Sequence, residues 1–438
     1  MTEMTETTER VAPRDCCDDA RRASAMSRRT LLKALGVGTV ALAAGPGIGM
    51  QAAFAADPGW SGDTLVVLSL RGGFDGLSAV APIGDPNLNT WRPSIAVPAA
   101  AAFQLDALFG MHPALSALQP FWNNGKLAFA HATGMWQPNR SHFDAMDEME
   151  KAAPGTSART GWLDRTLGLH ALGGPFSAVQ MGSTSIPEAF AGPIPVLGME
   201  SISGFKLSGT SNQTQRTNWT NALNALHSAA PPGLQDATST TLGALTTAAT
   251  LAAAAYTPAN GAVYPNTGLG RSLKNTAQLI KANVGLRVLT IDLGDWDMHA
   301  DLGRVDNGWM RDKLTDLGNS LAAFATDLGS YLDTTTLVTI SEFGRRVEEN
   351  QSGGVDHGWG NVMFVLGGHV VKGVHVAMPA SGNLLDDANL TQGDLTATTD
   401  FRAVLADILV NRTGASSDEV KTVFPGYTGT PLGITSAV

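Results

Sequence analysis

The segment Asp295-Trp296-Asp297-Met298-His299 carries two acids and a histidine at alternate positions, directly after the apolar run Val288-Leu289-Thr290-Ile291. In an extended loop alternate residues face the same way, so Asp297 and His299 would offer an oxygen and a nitrogen to one ion. On a helical turn Asp295 and His299 would do so instead. Asp75 follows Gly72-Gly73 at the end of a second apolar run, Leu65 to Leu70. Those glycines let the chain turn sharply enough for the carboxylate to point back over a sheet, a position suited to a metal ligand and equally to the cap of a following helix. Glu342 ends a third run, Leu337 to Ser341, and His357 sits in the Gly-flanked loop Gly353-Gly354-Val355-Asp356-His357-Gly358. An imidazole there serves as a metal ligand, a general acid or a hydrogen-bonded surface group. Ser141 opens a helix. It reads as an ordinary N-cap, or as a hydroxyl that the helix terminus favours as an alkoxide nucleophile or as a contact for a bound anion. Arg71 and Arg345 have the geometry to clamp a phosphate- or sulfate-like group, or to pair with their neighbours Asp75 and Glu342.

Elements of one architecture would bring these positions together. Ligands of open α/β sheets bind in the crevice outside the carboxyl ends of parallel strands, and the three apolar runs look like buried strands that each end in a polar cluster. Leu127 to His131 and Val362 to Leu366 read as further strands. Helical patterns cover Ser141 to Ala152, Trp162 to Leu172, Leu269 to Asn283, Asn307 to Tyr331 and Asp400 to Arg412. Strand alternating with helix predicts parallel pairing in a single α/β/α domain over 57–438. A stretch at about 205–267 shifts to Thr, Ala, Asn and Pro, with helices expected at Thr217 to Ser228 and Thr240 to Ala255. It reads as an insertion packed over or beside the sheet, as a lid, or as a flexible excursion.

The N-terminal 56 residues have a different character. Arg28-Arg29 precede a short Gly-containing apolar run and the small-x-small triplet Ala53-Phe54-Ala55. This is the pattern of a twin-arginine export signal, recognised by the twin-arginine translocase and cleaved near Ala56. The expected location is therefore beyond the cytoplasmic membrane: periplasmic, at the cell surface or secreted. The run from Leu31 to Ala44 is too short and too interrupted for a stable transmembrane anchor. The chain has two cysteines, Cys16 and Cys17, both inside that signal, so the mature protein would have no thiolate ligand, no cysteine nucleophile and no disulfide. With 29 Lys and Arg against 39 Asp and Glu the net charge is −10, which argues against nucleic acid as a partner.

Taken in order, Leu70-Arg-Gly-Gly-Phe-Asp-Gly-Leu77, Arg140-Ser-His-Phe-Asp144, Gly161-Trp-Leu163, Trp296-Asp-Met-His299, Ser341-Glu-Phe-Gly-Arg345, Asp356-His-Gly358 and Asp400-Phe-Arg402 resemble the exported family known as domain of unknown function 1501. That family looks like a branch of the alkaline-phosphatase and sulfatase superfamily. The resemblance implies a three-layer α/β/α sandwich with a central mixed, mostly parallel sheet and a site for two divalent ions flanking a Ser, Thr or modified Cys nucleophile; the departures of this sequence from the superfamily pattern leave open a two-zinc site, a single metal, or a harder ion such as Mg, Mn or Ca held mainly by carboxylates. It implies Ser141 as that nucleophile and Asp75, Asp297, His299, Glu342 and His357 as metal ligands; the residues themselves add Arg71 or Arg345 to neutralise the substrate anion. Phe343 stands where the superfamily motif has a histidine, so one imidazole fewer is expected. The activity implied is hydrolysis of a phosphate or sulfate ester, with a small anionic ester or glycan as substrate. The alternative is a non-catalytic secreted binding or assembly protein that keeps the fold with a degenerate metal site.

Overall fold

The computed structural model describes residues 62–170, 174–209 and 212–437. The segment read as an export signal, with its two arginines and both cysteines, lies outside the described residues. A nine-stranded sheet runs through the centre of the domain. Its strands are β1 (Thr64–Leu70), β2 (Leu127–Gly134), β3 (Ala178–Met181), β4 (Leu197–Met199), β5 (Val288–Leu293), β6 (Thr335–Ile340), β7 (Asn361–Gly367), β8 (Val374–His375) and β9 (Thr399–Asp400). The spatial order is β8-β2-β7-β6-β1-β5-β3-β4, with β9 beside the end of β2. All pairings are parallel except the two made by β7, which runs against both β2 and β6.

Strand side chains alternate between two cores. Val66, Leu68 and Leu70 of β1 pack with the helices Gly268–Lys281 and Trp309–Leu328, through Leu273, Ala277, Leu317 and Leu321. Leu65 and Val67 pack on the other face with Trp162, Leu163, Val404 and Leu405 from the helices Trp162–Leu167 and Phe401–Arg412. The period of two along a strand distributes one apolar run to both faces, which is why the central strands read as unbroken hydrophobic stretches. The result is the expected three-layer sandwich with a mixed, mostly parallel sheet.

The sequence expectation falls short at the edges. The short strands β3 and β4 escape it, and the helix expected to reach Leu172 stops at Leu167. In the Thr/Ala/Asn-rich stretch the helices are Gln213–His227 and Pro232–Ala253, both beginning earlier than the apolar spacing suggested. Asn212 caps the first, accepting a bond from the Gln215 N–H, and Pro232 occupies the first turn of the second. Leu242, Ala244, Ala248 and Leu251 bury the second helix against the domain, whereas the first has no buried residue.

Candidate metal centre

The middle of the sheet, β6-β1-β5, places three strand ends side by side. Ser69 lies opposite both Asp292 and Ile340, so the chain leaves all three strands at one level. Their loops then bond to one another: Gly72 N–H donates to Glu342 Oε1 at 2.7 Å, and Trp296 N–H to the Arg71 carbonyl at 3.4 Å. Gly73 holds φ +67°, and a Cβ there would lie 2.5 Å from the Phe343 ring, so only glycine makes this turn against that neighbour. After β5, Trp296 and Met298 point into the core while Asp297 and His299 point out. This alternation matches the extended reading of the motif. Asp295 faces solvent, 3.9 Å from the Lys313 ammonium.

The other two histidines at this edge arrive through the antiparallel strand. Because β7 runs against its neighbours, its amino end lies where the other strands finish, and the loop that feeds it carries His357. Its partner β2 ends at the same edge, and the chain continues to the helix His142–Lys151, capped by Ser141. Gly354 lies so close to the His299 backbone that a Cβ would sit 2.3 Å from its carbonyl carbon, which fixes the two loops against each other.

Three imidazoles and one carboxylate meet here through a consistent set of atoms. His357 Nε2 lies 3.0 Å from His142 Nε2, 2.9 Å from His299 Nε2 and 3.2 Å from Asp297 Oδ1. Asp297 Oδ1 also lies 3.0 Å from His299 Nε2 and 3.6 Å from His142 Nε2. Every Nδ1 points outward to an oxygen: His142 to Glu342 Oε1 at 2.8 Å, His299 to Asp356 Oδ1 at 2.8 Å, and His357 to the Arg140 carbonyl at 2.8 Å. Phe343 forms the apolar floor, its ring 4.8 Å from both the His142 and the His357 rings.

This geometry sets the electrostatics. A carbonyl only accepts, so His357 Nδ1 carries the proton toward Arg140, and the same logic applies to the two carboxylate partners. In neutral rings each Nε2 then presents a lone pair, and these lone pairs face one another at about hydrogen-bond distance with no donor between them. A cation among them removes that repulsion, and outward-facing Nδ1–H groups are the usual second shell of metal-bound imidazole. Burial pushes His357 below the ordinary histidine value, opposed by the Arg140 carbonyl and reinforced by Arg345. Burial works against the charge of Asp297, yet the Arg345 guanidinium and then His299 and His357 hold its carboxyl down at about 2. The ligand atoms of His142, Asp297 and His357 all lie within 4.8 Å of one another, a group that can hold a metal ion.

Not every expected residue joins this group. Asp297 and His357 do, and His299 adjoins it, with its Nε2 2.9 Å from His357 Nε2 and 3.0 Å from Asp297 Oδ1. Glu342 stands behind it, its Oε1 accepting from Gly72 and His142 and its Oε2 from Ser341 Oγ at 3.1 Å, so it orients a ligand where the sequence suggested a direct contact. Asp75 departs furthest from the expectation. Both its oxygens accept from Arg92, at 2.6 and 2.9 Å, in a pair that is almost wholly buried, and Ser78 adds a third bond. Its carboxylate is a structural anchor here. Arg345 does not face a substrate either: its guanidinium bonds the carbonyls of Gly72, Gly73, Trp296 and Val355 and the Asp297 carboxylate, tying three loops together. Arg71 lies between Asp292 and Glu150. Ser141 caps its helix, accepting from Asp144 N–H at 3.4 Å. The residue that sequence reasoning missed is His142, which supplies the imidazole expected to be lost at Phe343. Its signal was its place beside Ser141 in the Arg140-Ser-His-Phe-Asp144 string.

A family model described as Protein of unknown function (DUF1501) matches residues 63–407. No curated protein matches the chain.

Proposed function

Because the chain belongs to the DUF1501 family of proteins of unknown function, we propose its activity from the site together with the superfamily resemblance and the N-terminal pattern: an exported, metal-dependent hydrolase of phosphate or sulfate esters. One observation carries the metal part of this reading, the convergence of three Nε2 atoms on Asp297 with every Nδ1 facing an oxygen. Three nitrogens with one carboxylate oxygen favour Zn or Mn over Mg or Ca, which prefer all-oxygen sites. A bound ion would supply Lewis acidity at the ester oxygen. Ser141 is the attacking hydroxyl in this reading. It precedes the ligand His142 at the start of a ten-residue helix whose first N–H groups favour negative charge, and its cap bond is weak. Glu342, Asp356 and the Arg140 carbonyl hold the imidazoles in one tautomer and orientation. The ester class rests on the family resemblance. Export rests on the twin-arginine pattern, with the mature chain starting near Ala56; among the described residues no helix is long and apolar enough to cross a membrane.

A second reading has its own support. Both arginines expected to clamp an anion are bonded inside the protein, which favours a metal-binding but non-catalytic protein. Metal content and turnover separate the two. Protein recovered from the exported fraction should carry stoichiometric transition metal and hydrolyse an aryl phosphate or aryl sulfate, and Ser141→Ala should abolish that turnover while keeping the metal. Metal without turnover of either ester under any of the four ions leaves the binding reading. Absence of metal binding ends both metal-dependent readings and leaves a non-catalytic binding or assembly protein with a degenerate site.

A further inference from the structure

His142 and His357 are delivered by two loops that meet at a third. The first is the 135–141 connection after β2. It carries Arg140, whose carbonyl accepts from His357 Nδ1 at 2.8 Å, and it leads directly into Ser141 and His142. The second is the 344–358 excursion, in which Arg345 and His357 form an antiparallel bridge and the Arg346 N–H donates to the Asp356 carbonyl at 2.9 Å. Both loops aim an arginine at Asp394. Arg140 Nε donates to Asp394 Oδ2 at 3.0 Å and its Nη2 bonds the same oxygen, while Arg346 Nε stands 3.8 Å from Oδ1. Arg346 also forms an antiparallel backbone bridge with Asp394 and donates from Nη2 to the Gln392 carbonyl. The Asp394 carboxylate is fully buried, whereas the two arginine side chains keep about a third of their surface exposed. Burial pushes its carboxyl up, and Arg140 and then Arg346 oppose that push. Its backbone is fixed by a reciprocal pair of 3.0 Å bonds with Thr391, so the carboxylate is held by its own loop while it holds the other two.

We propose that Asp394 is a positioning residue of the metal cluster. It acts at one remove. Through Arg140 it fixes the one residue that both orients His357 and begins the approach to His142, and through Arg346 it fixes the bridge on which His357 is carried. The inference rests on the metal reading above. A guanidinium suits the task, because two directed bonds from one planar group set the direction of the Arg140 segment as well as its distance. Burial of the carboxylate keeps water from competing for those bonds, and a buried charge of this kind is tolerated only where it is paired.

Binding of Co(II) to the exported protein tests this, followed by calorimetric titration and by the visible bands of the bound ion, which report the geometry of its ligands. Asp394→Asn, shown to be folded by circular dichroism, should bind Co(II) about 10–100-fold more weakly than wild type, with altered bands, as expected for a group that holds a metal-bound imidazole from outside. Asp327→Asn is the control. It too removes the charge of a fully buried aspartate, and it should keep wild-type affinity and bands. Wild-type affinity and bands in folded Asp394→Asn overturn the inference and leave the metal reading standing, as does an equal loss in both variants, which would trace to general destabilisation. No Co(II) on wild type overturns both readings. Should Asp394→Asn fail to fold, Arg140→Lys decides. It keeps the charge and the carbonyl that faces His357 but gives up the paired bonds to Asp394, so weaker binding with altered bands supports the inference and unchanged binding overturns it.

Discussion

Asp297 and Asp327 are aspartates of the same domain whose carboxyls are both held below the ordinary range against the effect of burial, and their surroundings are opposite. Asp327, at the end of the Trp309–Leu328 helix, is fully buried and meets only donors: the Lys281 ammonium, the Tyr256 and Tyr264 hydroxyls at 2.7 and 2.8 Å, and the Ala259 N–H at 2.7 Å. It pins the 256–264 segment to the helices behind the sheet. Asp297 has a half-exposed side chain and meets the Arg345 guanidinium and three imidazole nitrogens, each from a ring whose other nitrogen faces an oxygen. A carboxylate ringed by donors is complete and static. One set among imidazole nitrogens leaves room for a cation.

That contrast predicts effects of different kind. The largest is at the open cluster: His357→Ala should abolish stoichiometric metal binding and any metal-dependent turnover, whereas Asp327→Ala should leave metal content at the wild-type level. Elemental analysis of the two variants checks it, and equal metal loss in both would erase the distinction. Next, Asp327→Ala strands the Lys281 ammonium and should cost about 3–5 kcal/mol, the usual effect of breaking a buried ion pair, measured by denaturant unfolding. A cost near zero would mean the staple is not closed.

Smaller effects sharpen the comparison. Glu342→Gln and Asp356→Asn touch no ion but loosen His142 and His299, and each should weaken metal affinity by about 10–100-fold in calorimetric titration. Acid should act on the closed site with a definite sign. Because the Asp327 carboxyl is held down, its stabilisation is complete above the ordinary aspartate value of about 4 and is lost as pH falls below it. The gap in melting temperature between wild type and Asp327→Asn should therefore narrow on acidification, and a gap that widens would reverse the assignment. The smallest effect is Ser141→Ala, about 1 kcal/mol for a lost helix cap, with the change in turnover reporting its chemistry separately.

The central strands were legible because burial on both faces writes itself as continuous Val, Leu and Ile. Their polar ends were legible because glycines and acids follow at once. The reversed direction of β7 was not, since strand polarity is set by which partners the strand finds. The candidate site divides the same way. Asp297 and His299 share a local alternation that a reader of the sequence can see, and His357 has its flanking glycines. Asp75 looked like a ligand because nothing near it in the chain reveals Arg92 as its counter-ion. His142 looked like part of a cap because its Nε2 partners lie across the fold. Phe343 misled most directly: the resemblance drew attention to an imidazole missing at that position, while His142, 201 positions earlier in the chain, brings its ring to 4.8 Å from the Phe343 ring.

The reversed strand has a kinetic consequence. His142 and His357 are 215 positions apart, and the second reaches the first only when β7 has paired between β2 and β6. No partial chain ending before residue 357 contains the cluster, and no collapsed form with β7 unpaired assembles it. Such long-range closure is the slow part of folding a mixed sheet. Were an ion to bind this cluster, its capture would time the completion of the domain, and a metal-sensitive signal during refolding would rise with the final closure of the sheet, after its individual helices have formed.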